Sequence, residues 1–489
     1  MTREQAILQA VQAYDSGALQ SALARRVAFA TESEVPEQAP AQHAYLNDEL
    51  VPLLSALGFA CEVHANPAGV DLPILVARRI EAPGLPTVLM YGHGDVVRGN
   101  AAKWADGRDP WRLQVDGDRW YGRGTADNKG QHSINLEALA KTLAARGGAL
   151  GFNTTWLIET GEEAGSPGLA AFCEAQRDLL AADVFIASDG PRLHAERPTL
   201  FMGSRGAVNF ELKVRARERG YHSGNWGGLL SNPAIRLMHA IGSLVDAQGR
   251  IAVPGLRPPP IPDAVAAALA DLDVGGGEDD PEINAWWGEP GLSAPEKVFG
   301  WNSLDVLTFG AGDPAKPVNA IPPEAVAWCQ LRFVVGTDWR ALRTHVAEHL
   351  RQGGFDDVEI RVGMQAGATR LSPDSPWVRW AAASLQRTTG KWPALLPNLG
   401  GSLPNDIFAD QLGLPTLWVP HSYPACAQHA PNEHLLGSVA REGLAIMAGL
   451  FWDLGDQGSS VRDSVRDSAS HSVRDSAREP AATSSSANA

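Results

Sequence analysis

The segment Thr87-Val-Leu-Met-Tyr91-Gly-His93-Gly-Asp95 joins a short apolar run to a glycine-bracketed histidine and aspartate. Because Pro86 and Gly92 bound the apolar run, it is typical of a buried β-strand. The polar residues follow the carboxyl end of this strand, which is the edge where open α/β sheets bind their ligands. This segment therefore indicates both a class of fold and the position of a functional site.

Two later segments repeat the arrangement of an apolar run followed by acidic residues. Thr154–Ile158 precedes Glu159-Thr-Gly-Glu162-Glu163, and Val184–Ala187 precedes Ser188-Asp189. The segment Gln131–Arg146 lies between Thr87–Tyr91 and Thr154–Ile158, and its apolar residues recur at helical spacing. Strands and helices alternating at these lengths predict an α/β fold with a doubly wound mixed sheet and helices on both faces.

The segment 203–370 has a different pattern. Phe201–Ala216 and Glu324–Val335 alternate polar and apolar residues, as half-exposed strands do, and a helix pattern follows each of them. We therefore expect a smaller α+β lid or dimerisation domain at 203–370, inserted between two parts of a catalytic domain at 1–202 and 371–455. Two domains also suit a chain of 489 residues, since single hydrophobic cores rarely grow beyond about 300 residues.

The last residues, 456–489, have a composition of their own. The tetrapeptide Val461-Arg-Asp-Ser464 is repeated from Val465 and from Val473, and a stretch rich in alanine and serine follows. Such a segment offers little apolar surface to bury, so 456–489 is predicted to be a disordered tail.

Charge and hydropathy exclude several classes of partner. The net charge of −15 opposes binding to nucleic acid or to anionic membranes. No apolar run approaches the ~18 residues of a membrane span, and the first residues lack the apolar core of a signal peptide. The four cysteines form no Cys-x-x-Cys pair, so reduced thiols are expected. Together these features predict a cytoplasmic location.

Histidine and carboxylate residues in five short motifs predict a metal centre. The motifs contribute His93 and Asp95, Asp127, Glu162 and Glu163, Asp189, and His429. Imidazole and carboxylate ligands suit a pair of Zn²⁺ or Mn²⁺ ions, which leaves Glu162 to handle the proton of a metal-bound water. Taken singly, each motif has a simpler interpretation, such as a helix cap at Asp127 or a solvated acidic turn at Glu162. The complete set, in this order, indicates a dinuclear metallohydrolase.

Four further motifs extend the pattern beyond the metal centre: Ser204-Arg-Gly206, His222-Ser-Gly-Asn-Trp-Gly-Gly228, Ile321-Pro322 after Asn319, and Gly400-Gly-Ser402-Leu-Pro404. With the metal motifs, they make residues 10–455 resemble the co-catalytic zinc metallopeptidase family. That family includes carnosine dipeptidase, glutamate carboxypeptidase, aminoacylase and succinyl-diaminopimelate desuccinylase. The similarity is greatest to the cytosolic carnosine-type dipeptidases.

The resemblance implies a role for each residue of the centre. Asp127 would bridge both metals, Glu163 and His429 would complete one site, His93 and Asp189 would complete the other, Asp95 would orient His93, and Glu162 would be the general base. A hydroxide bridging two divalent ions (zinc first, with manganese or cobalt as alternatives) would attack the amide carbonyl. The family's bridging aspartate often precedes a cis peptide bond, here between Asp127 and Asn128.

The resemblance also implies residues for the substrate. His222 would donate to the tetrahedral oxyanion from the inserted domain, often that of the partner subunit, so a homodimer through this domain is expected. Arg332 lies in an alternating strand, and a guanidinium there suits a substrate carboxylate. Asn319 and Ser402 would add neutral hydrogen bonds.

Three functions remain open from the sequence. A dipeptidase is favoured by Asp189, since the deacylase and glutamate carboxypeptidase branches generally carry glutamate there. An N-acyl-amino-acid amidohydrolase is the alternative, for which Trp286, Trp287 and Trp301 could line a pocket for an aromatic or acyl group. A binding protein on an inactive hydrolase scaffold is the third, and a lack of bound metal would favour it.

Overall fold

The computed structural model describes residues 1–275 and 281–476, with side chains described up to residue 467. Its strands in the described residues are β1 Ala60–His64, β2 Ile74–Arg79, β3 Thr87–His93, β4 Gln114–Asp116, β5 Arg119–Tyr121, β6 Asn153–Glu159, β7 Val184–Ala187, β8 Thr199–Phe201, β9 Gly206–Arg215, β10 Tyr221–His222, β11 Ser303–Gly310, β12 Ala320–Ile321, β13 Glu324–Phe333, β14 Val358–Ala366, β15 Ala394–Leu396, β16 Thr416–Trp418 and β17 His434–Leu436.

The helices of the same residues are α1 Arg3–Asp15, α2 Ala18–Val27, α3 Ala39–Ala44, α4 Val51–Ala56, α5 Lys129–Ala145, α6 Leu169–Ala175, α7 Ser223–Trp226, α8 Pro233–Leu244, α9 Asp263–Leu269, α10 Ala294–Phe299, α11 Leu342–Gln352, α12 Pro376–Thr389 and α13 Gly437–Ser476. Short π-helical segments at Tyr45–Leu50 and Ile407–Gln411 continue α3 into α4 and precede β16.

The larger sheet has eight strands in the order β1-β2-β6-β3-β7-β16-β8-β15. Strand β3 runs parallel to both β6 and β7, and β16 runs parallel to β7. Strand β2 is antiparallel to β6, so the sheet is mixed. Parallel pairing brings the carboxyl ends of β3, β6 and β7 to one edge, where the acidic motifs follow each strand. The predicted fold class is confirmed.

Helices cover both faces of this sheet. In β3, Val88 and Met90 pack into one hydrophobic cluster with side chains of α1, α5, α12 and α13. Leu89 and Tyr91 point the other way, into a cluster that contains side chains of α6, α9 and α10. A parallel strand buried on both faces has the continuous apolar sequence seen at Thr87–Tyr91.

The smaller sheet is antiparallel, in the order β11-β13-β9-β14. Alternate residues of β9 and β13 pack with α8 and α11 in a separate core, which explains the period-two pattern of both strands. The chain between these strands is not confined to that core: Val265, Leu269 and Phe299 of α9 and α10 pack against the larger sheet. The proposed bounds 203–370, 1–202 and 371–455 stay a prediction.

The carboxyl-terminal segment differs from its prediction. Residues 456–476 continue helix α13, so the expected disorder is wrong up to Ser476, and residues 477–489 lie outside the described residues. The tetrapeptide repeat places Val461 and Val465 four residues apart, on one face of a helix, and both pack against the main core. Arg466 Nη2 also donates to Asp183 Oδ1 at 2.9 Å, which holds this part of the helix against the loop before β7.

Within the described residues, no helix has the length and apolar character needed to cross a membrane.

Candidate metal centre

Loops after the strands of the larger sheet bring the predicted ligands together. His93 is the last residue of β3, Glu163 follows β6, and Asp189 follows β7. Asp127 lies in the loop that opens α5, and His429 lies in the loop between β16 and β17. The side chains of His93, Asp127 and Asp189 are buried, so the centre is closed on that side.

The five side chains form two groups that share Asp127. In the first group, His93 Nε2 lies 2.9 Å from Asp127 Oδ1 and 3.5 Å from Asp189 Oδ2. In the second, His429 Nε2 lies 2.9 Å from Asp127 Oδ2 and 3.0 Å from Glu163 Oε2. The donor atoms within each group lie within 4.8 Å of one another. Because Asp127 offers one oxygen to each group, the arrangement suits two adjacent cations.

The electrostatics of the five side chains test whether they fit such cations. Burial raises the pKa of Glu163 to about 8, and the neighbouring Asp127 carboxylate adds to the effect. The second carboxylate oxygen of Glu163 is buried and has no hydrogen-bond partner among the residues that the structure describes. Hydrogen bonds to Asp127 and Glu163 raise the pKa of His429 to about 11. Carboxylates this crowded favour added positive charge, so the donor set fits a pair of divalent ions.

Glu162 stands beside the two groups. Burial raises its pKa well above the ordinary value, and the carboxylates of Asp189, Glu163 and Asp127 raise it further, against the effect of His93. A glutamate with a raised pKa beside a metal centre is suited to accept and return a proton.

Asp95 is completely buried beneath the centre. The His93 ring faces it, with Nδ1 3.1 Å from the Asp95 carbonyl oxygen and 3.4 Å from its carboxylate Oδ1. The Asp95 carboxylate also accepts the backbone N–H groups of Glu162 at 3.2 Å and Glu163 at 3.0 Å. Asp95 therefore contacts both the His93 ring and the turn that carries the two glutamates, whereas the sequence had suggested the first contact alone.

Glu433 is a buried residue beside the centre for which the sequence analysis predicted no role. Its buried carboxylate accepts the backbone N–H groups of Gly124, Ala126 and Asp127 at 2.9 to 3.1 Å, and it pairs with Arg123 at 2.6 Å. It thereby holds the loop that carries the shared ligand. The available signal was its position at the end of the His429 motif.

Asn128, the residue after Asp127, is also held by hydrogen bonds. The peptide bond between Asp127 and Asn128 is cis, as the resemblance implies. Asn128 Nδ2 donates to the carbonyl oxygen of Ser188 at 2.7 Å, and its Oδ1 lies 3.1 Å from His132 Nδ1. These contacts join the loops of Asp127 and Asp189.

The predicted substrate residues fall into two places. Arg332 and Ser402 line a cavity of about 500 Å³ that also includes His429, and Arg332 Nη1 donates to Ser402 Oγ at 2.9 Å. His222 lies instead in β10 and Asn319 directly before its partner β12, and Ser223 donates its backbone N–H to the Asn319 carbonyl oxygen. His222 is exposed, and its hydrogen bond in the described part of the chain is with the Gly224 backbone.

A mixed α/β sheet with two carboxylate-bridged ligand groups at its edge defines a metal-dependent hydrolase. Residues 89–453 match the family described as peptidase family M20/M25/M40, and the chain belongs to this family of metallopeptidases. Within it, Beta-Ala-His dipeptidase of Rattus norvegicus is 28% identical over 400 residues, which cover 78% of this chain and 80% of that protein. Cysteinylglycine-S-conjugate dipeptidase of Corynebacterium striatum is 28% identical over 381 residues, covering 74% and 80%.

A solved structure shows the same fold. Human carnosine dipeptidase 1 superimposes with a TM-score of 0.74 at 22% sequence identity, over 92% of this chain and 99% of that one. The likeness therefore extends through both sheets.

Proposed function

We propose that the protein is a dipeptidase that hydrolyses the amide bond of small peptides with a free amino terminus at a centre of two divalent metal ions. The observation that carries the proposal is the placement of Asp127, which offers one carboxylate oxygen to each of two ligand groups beside Glu162. The relatives named as dipeptidases support the choice of small peptides as substrates.

Each residue has a proposed part in the reaction. Bound at this centre, two divalent cations supply the Lewis acidity that activates a water and polarises the scissile carbonyl. His93, Asp127, Glu163, Asp189 and His429 would hold these ions. Glu162 would take the proton of the attacking water and return it to the leaving amine.

The substrate would be oriented from the cavity of about 500 Å³ beside His429. Arg332 would bind the terminal carboxylate of the peptide, and Ser402, which accepts an Arg332 N–H, would fix the guanidinium. A cavity of this size suits a dipeptide better than a long chain. Zinc is the proposed metal, with manganese or cobalt as alternatives, because imidazole and carboxylate ligands accept all three.

His222 and Asn319 would act in a homodimer. Neither residue hydrogen-bonds to a side chain of the metal centre within the described part of this chain. The inserted domain carries exposed apolar side chains suited to a subunit contact: Ile235 and Met238 on α8, and Val306, Leu307 and Phe309 on β11. We propose that a second copy packs there and brings its own His222 and Asn319 to this centre.

The test compares free dipeptides with their N-acetylated forms, with Zn²⁺ or Mn²⁺ and again with a chelator. We expect metal-dependent turnover of the free peptides. Glu162→Gln is expected to lower kcat by about 10²–10⁴-fold with its metal content unchanged. Glu348→Gln, on the exposed face of α11, is the matched control. A preference for acetylated substrates would indicate an amidohydrolase, and a lack of turnover by metal-loaded protein would contradict both functions.

A further inference from the structure

A second cavity lies next to the proposed substrate site. It has a volume of about 260 Å³, and its walls include two of the tryptophans that the sequence left without a role, Trp287 and Trp301. Arg205 and Val298 also line it. Val298 lies in helix α10, and the next residue of that helix, Phe299, lines the first cavity. The two cavities therefore lie on either side of the end of α10.

Arg205 supplies an unpaired charge to the second cavity. The residue is 9% exposed, and its Nε donates to the Gly400 carbonyl oxygen at 3.0 Å. Its Nη1 and Nη2 groups have no hydrogen-bond partner among the described residues. Buried guanidinium groups normally satisfy most of their five N–H donors, because an unmet charged donor is costly to bury. Free donors on a buried cation that lines a cavity point to an anionic ligand.

Arg332 increases the positive charge at this place. Ser402 Oγ accepts an N–H of Arg332 at 2.9 Å and donates to the carbonyl oxygen of Arg205 at 2.8 Å, so one hydroxyl joins the two arginine residues. Burial, and after it the charge of Arg332, lowers the pKa of Arg205. Neither forms an ion pair with a carboxylate in the described residues. The Asp305 carboxylate attracts both groups from the cavity wall, but its hydrogen bond is with the Ser303 hydroxyl at 3.2 Å. Two neighbouring cations without an ion pair favour a ligand with two negative groups.

Gly400 lies where the two cavities approach each other. A β-carbon at this position would lie 3.2 Å from Val298 Cγ1, 3.7 Å from Phe299 Cε1 and 3.9 Å from Arg205 Nη2. It would therefore occupy the space between a residue of the second cavity and a residue of the first. Gly400 and Arg332 both line the first cavity, and the missing side chain of Gly400 leaves the space toward Arg205 Nη2 unfilled.

We propose that Arg205 binds a second carboxylate of the substrate, the side-chain carboxylate of an acidic carboxyl-terminal residue whose α-carboxylate is held by Arg332. This proposal rests on the proposed function and narrows it to dipeptides that end in glutamate or aspartate. Selectivity would come from hydrogen-bond donors of this chain. Arg332 and Ser402 would bind the α-carboxylate, and Arg205 would bind the side-chain carboxylate on the far side of Gly400. A neutral amide in the same place would leave the charge of Arg205 without its partner.

The first test uses pairs of dipeptides that differ by one charge. The metal-loaded enzyme is assayed with Gly-Glu and Gly-Gln, which have nearly the same shape, and the ratio of their kcat/KM values is measured. We expect a ratio of about 10 or more in favour of Gly-Glu, since a charge-assisted hydrogen bond is worth about one factor of ten or more. Arg205→Gln should bring the ratio close to 1, and Arg205→Lys should keep part of it.

The control is Arg343→Gln, which removes the same charge from the exposed face of α11 and should keep the wild-type ratio. A wild-type ratio near 1 would overturn the proposal, and so would a ratio that Arg205→Gln leaves unchanged. The proposal would also be overturned if turnover of Gly-Gly-Gly depended on Arg205 and the enzyme did not prefer Gly-Glu. Arg205 would then bind the terminal carboxylate of a longer peptide and not an acidic side chain.

A binding measurement separates this proposal from the proposed function. Isothermal titration of the metal-loaded protein with L-glutamate and with L-glutamine needs no turnover. Glutamate should bind about tenfold more tightly to the wild type and lose that advantage in Arg205→Gln. If the dipeptides are not hydrolysed but glutamate keeps its advantage, the acidic site stands and the proposed reaction fails. Equal binding of both amino acids to the wild type would mean the acidic site is absent.

Discussion

The Asp95 carboxylate accepts the backbone N–H of Glu163 at 3.0 Å, from a position directly beneath the His93 ring. One buried carboxylate thus fixes a ligand of the first metal group and the turn that carries a ligand of the second. The neighbouring N–H of Glu162 binds its other oxygen, so the proposed general base is held by the same residue. The spacing between the two groups therefore depends on Asp95 as well as on the shared Asp127.

Asp95→Asn tests this relationship. The amide keeps the size of the side chain, but one of its ends becomes an N–H donor that faces a backbone N–H donor. We expect metal affinity to fall by about 10–100-fold, as it does when a residue behind a metal ligand is replaced. Competition with a chelator measures the affinity. Asp356→Asn, at an exposed position just before β14 of the smaller sheet, changes the same charge and should leave the affinity as it is in the wild type.

Glu433 gives a second prediction about the same centre. Replacing it with alanine leaves Arg123 buried without its partner and frees three backbone N–H groups of the loop that carries Asp127. The expected loss is about 3–5 kcal/mol in the free energy of unfolding, the usual result of breaking a buried ion pair. Chemical denaturation with chelator present measures this loss apart from metal binding. Glu433→Gln keeps an acceptor and should lose less; equal losses in both variants would contradict the argument.

The metal motifs could be predicted because each consists of polar residues in or beside a glycine-rich turn, and most of them follow a short apolar run. Both the turns and the apolar runs are visible in the sequence. Strand β11 was not predicted, because most of its residues after Leu304 are exposed at a sheet edge and their polarity does not alternate. Strand β14 was also missed, although Val358, Ile360 and Val362 alternate with polar residues as in a half-exposed strand. The motif of His429 drew attention to the position of Glu433, but its contacts could not be predicted, since its backbone partners lie about 300 residues earlier and almost any residue type offers an N–H.

The carboxyl-terminal helix shows a different limit. The repeated tetrapeptide has the composition of a disordered segment, and composition was the basis of that prediction. Its period of four residues also gathers the valines on one helical face, and the main core provides the surface they cover. Composition alone does not reveal whether such a surface exists elsewhere in the fold.

Glu159 predicts a pH dependence of stability. Its buried carboxyl group accepts the hydroxyl protons of Tyr91 and Ser166, and burial, followed by the charge of Asp95, raises its pKa to about 7 from 4.5. Between these values the folded protein binds more protons than the unfolded chain, so the free energy of unfolding falls as pH rises through this window. The effect is on the order of 3 kcal/mol across the whole window.

Glu159→Gln mimics the protonated group and removes its titration. We expect the variant to gain stability relative to the wild type as pH rises from about 4.5 to about 7.5, without a comparable gain below about 4.5. Denaturant unfolding with chelator present, at several pH values, checks the difference without interference from metal binding. Stability curves that stay parallel across the window would show that the Glu159 carboxyl group titrates normally in the fold.

The proposed homodimer predicts complementation between two inactive variants. If His222 acts on the centre of the partner subunit, a mixed dimer of Glu162→Gln and His222→Ala chains has one centre with both native residues. Subunit exchange should then restore about a quarter of wild-type activity, because half of the dimers are mixed and each has one intact centre of two. The control mixes Glu162→Gln with the double variant, which should stay inactive. If mass spectrometry shows mixed dimers of Glu162→Gln and His222→Ala chains but the mixture stays inactive, His222 does not act on the partner's centre.

The last prediction concerns the end of α13. Val461 and Val465 are partly buried against the main core, and Arg462 Nη1 donates to the Gly84 carbonyl oxygen at 2.7 Å. These contacts lie at the amino ends of the central strands, away from the metal centre at their carboxyl ends, so they are expected to contribute to stability and not to catalysis. Removing residues 461–489 should lower the free energy of unfolding by about 2 kcal/mol, the value of two partly buried valines and the Arg462 hydrogen bond, since the exposed pair of Arg466 and Asp183 adds little. Removing residues 470–489 keeps all of these contacts and should leave stability unchanged.

Denaturant unfolding measures the stability of both truncated proteins, and steady-state assays measure their activity. An equal loss of stability in both would place the stabilising contacts beyond residue 470. A loss of kcat in the protein that lacks residues 461–489 would link this helix to the metal centre.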